Sequence, residues 1–297
     1  MISHLSLNNV NTISPSISLQ TDENGVEFLI VEHDKLNAAL TLHGAHLIHF
    51  QKKQQPPVIW LSKTAIFDNK KAIRGGVPIC WPWFGPADPS LGENLPAHGI
   101  ARTSKWTLIN TEESDNGVVI ELQLKSSEAS LKIWPYEFEL KLQITLDSEC
   151  KLTLTTENKS NKPFIYGGAL HTYLNISSPE SVKIIGINEK FTNSLKNKRL
   201  ETGDTTLLID QAIDSIYKKS NTEIQLKDSQ FQRTLTVSNT GNDSEVLWSP
   251  WVEGAQAFAD MPDNGYQTMF CIESAITQKS GQLVEAGNTH TLTTLIK

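Results

Sequence analysis

Over long stretches of this chain apolar and polar residues alternate. From Glu137 to Leu146 the order is Glu-Phe-Glu-Leu-Lys-Leu-Gln-Ile-Thr-Leu, with no break in the alternation. A period of two describes a β-strand with one wet and one buried face. The pattern returns from Val119 to Lys125, with Ile120, Leu122 and Leu124 on one side. It returns again from Lys151 to Thr155 and from Phe231 to Ser238. Turn-forming clusters separate these runs: Asp22-Glu23-Asn24-Gly25, Ser114-Asp115-Asn116-Gly117, Asn239 to Asp243 and Pro262-Asp263-Asn264-Gly265. Many short strands with frequent turns and scarcely any helical periodicity predict an all-β protein. The expected architecture is an antiparallel sandwich or barrel rather than βαβ units. With no linker and no solenoid repeat, residues 1–297 are expected to form a single domain, with 1–15 an edge or poorly ordered segment.

Two stretches interrupt the pattern. Residues 72–102 are crowded with Gly, Pro and Trp and read as a long loop excursion, of a length that usually serves a function. Residues 248–275 pass through a turn into a strand from Gln267 to Ser274 that ends on an acid, Glu273.

Composition narrows the partners. A net charge of −7 disfavours nucleic acid and anionic membranes, which call for a positive surface, whereas an anionic small molecule needs only a few local arginines. Cys80, Cys150 and Cys271 are odd in number and widely spaced, which excludes a disulfide framework and a zinc site and fits buried thiols in a reducing compartment. The first twenty residues lack a basic start followed by an apolar run, so no secretory leader is expected. A cytoplasmic monomer is the expectation.

Four short segments carry candidate chemistry. In Arg74-Gly75-Gly76-Val77-Pro78-Ile79-Cys80-Trp81-Pro82-Trp83-Phe84-Gly85-Pro86 the glycines let backbone approach a ligand, and a guanidinium can fork onto phosphate or paired hydroxyls. Trp81, Trp83 and Phe84 read either as core or as a flat wall on which a sugar ring stacks. In Leu95-Pro96-Ala97-His98-Gly99-Ile100-Ala101-Arg102 a histidine sits on a loop four residues before an arginine. In Gly167-Gly168-Ala169-Leu170-His171-Thr172-Tyr173-Leu174 a histidine interrupts a strand-like run, and imidazole exchanges protons near neutral pH. In Cys271-Ile272-Glu273-Ser274-Ala275 an acid lies among apolar neighbours, where desolvation would raise its pKa and a cationic imidazole would lower it. The spaced His43, His46 and His49 are not a metal site on strand geometry, which would put His43 and His49 on one face and His46 on the other.

In this order and wording the four segments resemble the hexose-6-phosphate mutarotases, a branch of the aldose 1-epimerase superfamily, from about residue 15 onward. The resemblance implies a galactose-mutarotase-like antiparallel β-supersandwich, no cofactor and no metal, and interconversion of the anomers of a hexose 6-phosphate such as glucose 6-phosphate. It implies Glu273 as general base and His171 as general acid. It also implies His98, Arg74, Arg102 and Asp214 as substrate ligands. Where the family usually has Arg after the acid, Ser215 follows Asp214. The residue types suit that chemistry, since mutarotation needs one group to take the anomeric proton and another to protonate the ring oxygen. Two alternatives stay open: a mutarotase of an unphosphorylated aldose, and a sugar-phosphate-binding protein without catalysis. A glycosidase would need two well-placed carboxylates, and Glu273 alone has a convincing setting.

Overall fold

The computed structural model of the chain describes residues 5–220 and 222–297. The alternating runs become long antiparallel strands: Gly117–Lys125, Phe138–Leu146, Cys150–Asn158 and Arg233–Thr240. Along Phe138–Leu146, Leu140, Leu142, Ile144 and Leu146 are fully buried, while Lys141 and Gln143 are exposed. These four strands belong to a nine-stranded sheet, in which Thr289–Ile296 joins Arg233–Thr240 to Cys150–Asn158. An eight-stranded sheet faces the core from the other side, centred on Ile213–Lys218, Ser244–Ser249 and Met269–Ile276. A five-stranded meander runs from Asn8–Ser14 to His46–Lys52. Of the 1–15 segment, residues 1–4 lie outside the described residues, and Asn8–Ser14 is the outer strand of that meander.

One large apolar cluster joins the sheets, drawing Leu40 and Leu47 from the meander, Leu142 and Leu152 from the nine-stranded sheet, and Leu170, Leu247 and Ile272 from the eight-stranded one. Among the described residues, helix is confined to two short segments, Glu128–Ile133 and Trp251–Ala257, and a few 3-10 turns. Among the described residues no helix is long and apolar enough to cross a membrane. The 72–102 excursion is irregular as expected, with a two-residue strand, Ile79–Cys80, and two 3-10 turns.

Two sequence expectations need correction, and one open choice is decided. His43 lies in the turn ahead of the His46–Lys52 strand, so the three histidines do not share one strand. His43 bonds the Lys71 carbonyl and His46 the Gly75 carbonyl, while His49 lines a separate hollow with Trp60 and Asn175. The acid-bearing strand begins at Met269, because Gln267 and Thr268 close a 3-10 turn, and it runs on to Ile276. Glu273 is therefore an interior residue of a wholly buried strand rather than its polar end. Trp81 is core, packed against Trp134, Phe138 and Tyr166.

Candidate active site

Strand register assembles the site. Opposed residues of an antiparallel pair share a face, and that face repeats every second residue. Trp248 stands opposite Asp214 on one side and Cys271 on the other; Val246 stands opposite Ile216 and Glu273. Tyr173 stands opposite Cys271, and Ala169 opposite Ala275 and Cys80. Asp214, Trp248, Tyr173 and Glu273 thus leave the eight-stranded sheet on the same face, over a floor of Cys80, Ala169, Val246 and Ala275. The alternate residues Leu170, Leu247 and Ile272 enter the main core. A one-residue slip of the Met269–Ile276 strand would bury Glu273 in hydrocarbon.

Above this floor lies a cavity of about 510 Å³ whose wall includes all six residues singled out in the sequence: Arg74, His98, Arg102, His171, Asp214 and Glu273. His171 sits where the chain breaks between the strands Gly168–Leu170 and Tyr173–Asn175, its N–H donating to the Pro78 carbonyl at 3.0 Å. The imidazole Nε2 is 3.3 Å from Oε1 of Glu273, whose side chain is 1 % exposed. Among the described residues, His171 Nδ1 and Glu273 Oε2 have no hydrogen-bond partner. Burial holds Glu273 well above the usual carboxylate range, with the charge of Asp214 adding to it and that of Arg102 opposing it. Burial also pushes His171 well below the ordinary imidazole value, helped by His98, Arg102 and Arg74. Between them the pair favours a neutral carboxyl beside a neutral imidazole over carboxylate and imidazolium.

His98 is held differently. Its backbone has φ 64°, and its N–H donates to the Gly85 carbonyl at 2.7 Å. The Gly85 N–H donates in turn to His98 Nδ1 at 3.3 Å. Burial, Arg102 and Arg74 bring the ring down to about 4, so at neutral pH it is uncharged. With Nδ1 accepting, its proton sits on Nε2, and His98 offers the cavity a single donor. Gly99 follows at φ 77°, where a Cβ would run into the Trp81 carbonyl, so only glycine lets the loop cross there.

Each arginine is anchored by part of its fork. Arg74 Nε donates to Asp260 Oδ1 at 3.1 Å, Nη1 approaches the Tyr173 hydroxyl at 3.4 Å, and the guanidinium lies 4.0 Å over the Phe258 ring. Its loop is fixed from behind by His46, whose Nε2–H donates to the Gly75 carbonyl at 2.7 Å; burial brings that ring to about 3, so it stays neutral. Arg102 donates from Nη2 to the Ala97 carbonyl at 2.9 Å. Asp214 is pushed up by burial, against the opposing effects of Ser194 and Lys198.

The sequence reading missed part of the wall. Tyr173, Trp248 and Phe258 line it together with Phe84, whereas Trp83 lines a neighbouring hollow beside Trp134 and Tyr166. Ser194 and Lys198 also line the cavity, from a 3-10 turn, Ser194–Lys196, followed by Asn197 and Lys198 in left-handed backbone. In the sequence this stretch is merely polar, and an Asn-containing turn was the one available signal.

Known proteins share this sequence and fold. A curated relative from Escherichia coli (strain K12), named "Putative glucose-6-phosphate 1-epimerase", is 33 % identical over 285 residues, covering 95 % of this chain and 93 % of the relative. The crystal structure of "a putative mutarotase" from Salmonella typhimurium superposes with a TM-score of 0.91 at 30 % identity, over 98 % of this chain and 96 % of the other. A galactose mutarotase related enzyme from Lactobacillus acidophilus shares the fold alone, with a TM-score of 0.69 at 16 % identity over 90 % and 96 % of the two chains. The family model described as aldose 1-epimerase matches residues 27–297. By this match and by the relative at 33 % identity, the chain belongs to the aldose 1-epimerase family.

Proposed function

We propose that this chain interconverts the α and β anomers of a hexose 6-phosphate, glucose 6-phosphate foremost, by opening and reclosing the sugar ring. The observation that carries the reading is the His171–Glu273 pair, 3.3 Å apart, in a cavity that two guanidinium groups also line. In the opening step the Glu273 carboxylate takes the proton of the anomeric hydroxyl. The C1–O5 bond breaks, its electron pair goes to O5, and O5 takes the proton of the His171 imidazolium. C1 becomes an aldehyde carbon. Rotation about C1–C2 turns its other face to O5, and the two proton transfers run in reverse. Acid–base help of this kind contributes about 10²–10⁴ in rate.

The remaining residues hold the sugar. Arg74 and Arg102 take the phosphate or adjacent sugar oxygens. The Nε2–H of His98 donates to a ring or hydroxyl oxygen, and Asp214 accepts from hydroxyls. Phe84 and Trp248 offer apolar ring faces. Lys198 adds a third cation to the wall. This chemistry calls for no cofactor, and we take the 297 residues to act as one domain and one monomer on a small sugar phosphate. The name of the relative, "Putative glucose-6-phosphate 1-epimerase", supports the phosphorylated substrate. The test is exchange NMR or polarimetry with glucose 6-phosphate and glucose side by side. Fast enzyme-dependent exchange of the phosphate ester is expected, and its absence would sink the reading.

A further inference from the structure

Away from the catalytic cavity, the chain passes from the nine-stranded sheet to the eight-stranded one over three residues. Arg233–Thr240 ends on one side, Gly241, Asn242 and Asp243 turn the corner, and Ser244–Ser249 begins on the other. Gly241 has φ 77°, and a Cβ there would run into the Thr291 carbonyl, so the corner is tight. Both arms of the corner send polar side chains inward. Val237 and Leu247 lie in the main core. Alternation puts Asn239, two residues past Val237, and Glu245, two before Leu247, on the same inner faces. Register adds two more: Thr294 stands opposite Asn239, and Ser274 opposite Glu245. Ser274 Oγ donates to the Thr293 carbonyl at 3.1 Å, which ties the two sheets at this level.

This end of the interior has oxygen atoms without partners. Glu245 is 3 % exposed, Asn242 7 % and Asn239 9 %, and Thr294 is fully buried. Among the described residues Glu245 Oε2, Asn242 Oδ1, Thr294 Oγ1 and both amide atoms of Asn239 make no hydrogen bond. Asn242 donates its amide to the Ser244 carbonyl at 3.0 Å, so what it has left is an acceptor. The charged and titratable groups nearby do not offset the carboxyl. Lys219 is exposed and acts on Glu245 only through space. Asp243 is engaged by Ser244 Oγ and the N–H groups of Thr277 and Gln278. Tyr217 stands opposite Glu245, and His290, from the Thr289–Ile296 strand, bonds the Tyr166 hydroxyl at 2.7 Å. An ionised carboxyl buried among acceptors needs a positive partner. Water can bridge such atoms but brings no charge.

We propose that this corner is a structural site for one alkali-metal ion, with Glu245, Asn239, Asn242 and Thr294 as its oxygen ligands. Carboxylate, amide and hydroxyl oxygens suit a hard cation. A single carboxylate balances a single positive charge, whereas a divalent ion would leave net charge in the core. Among the described residues no group of three or more His, Cys, Asp or Glu could hold a metal ion, so the donor set is not one for a transition metal. The ion would pin the two sheets where the chain crosses between them. It competes with a proton, since burial pushes Glu245 up to about 7.

The test is denaturant unfolding of the whole chain in potassium, sodium or tetramethylammonium chloride at one ionic strength; the last cation is too large to enter. At pH 8 the folding equilibrium constant should rise about tenfold for each tenfold rise in potassium or sodium above its Kd, and stay flat in tetramethylammonium. At pH 5 the proton should weaken the ion about a hundredfold. Glu245→Gln should lose the ion dependence at both pH values, and Asn239→Ala should shift it to higher concentration. The ion restores what the parent loses as Glu245 ionises, so a gain of Glu245→Gln over the parent at pH 8 belongs to alkali-free buffer. Equal stability of the parent in all three salts at pH 8 would leave the corner to water and overturn the proposal, whether or not the variants fold. An ion dependence undiminished in Glu245→Gln would overturn it as well, by placing the ion elsewhere.

Discussion

At the scale of single residues the proposed chemistry rests on His171 and Glu273, whose Nε2 and Oε1 lie 3.3 Å apart. Glu273→Gln and His171→Asn keep size and most hydrogen bonding while removing a proton site. Each should slow anomer exchange by about 10²–10⁴ and leave the fold intact, and the double variant should be scarcely worse than either single one, since the two act as a unit. Full activity in either single variant would end the assignment. The pH profile should be bell-shaped, with limbs that belong to the pair. Burial raises Glu273 and lowers His171, so neither limb should fall at the ordinary value of a free carboxyl or imidazole, and a profile with both limbs at those values would count against the pair. The arginines are separable by substrate. Arg102→Ala should weaken handling of the 6-phosphate by about one to two decades, the loss of a charge-assisted contact, and affect the free sugar far less; kinetics on both sugars decide, and equal losses would mark Arg102 as structural.

At the scale of elements, the strands were legible because alternation is a local signal: the Glu137–Leu146 run became the Phe138–Leu146 strand almost residue for residue. Register was not legible, because it depends on pairing between distant segments. Nothing near Asp214 in the sequence says that it will stand opposite Trp248, or that Trp248 will stand opposite the residue two before Glu273. Nor does alternation mark the polar residue that pays for the other face of the Ser244–Ser249 strand. Glu245 is 3 % exposed, and burial pushes it from 4.5 up to about 7, against the opposing effects of Asn239, Lys219 and Asn242. A carboxyl whose pKa is higher in the folded state contributes its full stability below the unfolded value and loses it as pH rises through the folded one. Between about pH 4.5 and 7 that loss amounts to about 3 kcal/mol. Glu245→Gln removes the titration, so relative to the parent it should gain stability by about that amount between pH 4.5 and 8, measured as the difference in denaturant unfolding at each pH. A difference that does not change with pH would mean Glu245 ionises as freely folded as unfolded.

At the scale of the whole molecule, the site is an inversion of the surface that carries it. Five of the six candidate site residues were legible in four motifs, because segments that position ligands are written in Gly, Pro, His and Arg; Asp214 lies in none of them and came from the family resemblance alone. The partners that orient them, such as Asp260 on Arg74, 186 positions away, exist only in the folded chain. The protein as a whole bears a charge of −7, yet Arg74, Arg102 and Lys198 line the cavity. A doubly charged substrate therefore meets two opposed fields with different ranges. At 0.01 M ionic strength the Debye length is about 30 Å, so the approaching dianion feels the net negative charge of the molecule; at 0.1 M it is about 10 Å, and mainly the cations of the cleft remain in view. Raising salt over that interval should first remove repulsion. We expect kcat/KM for the sugar phosphate to climb a few-fold between these two conditions and to fall again toward 1 M, where a Debye length of about 3 Å screens the cleft itself. The same series on unphosphorylated glucose should be flat when the added salt is a monovalent chloride. Initial rates of anomer exchange across the series separate the two fields, and a steep decline from the lowest salt onward would mean that the cleft cations dominate at every distance.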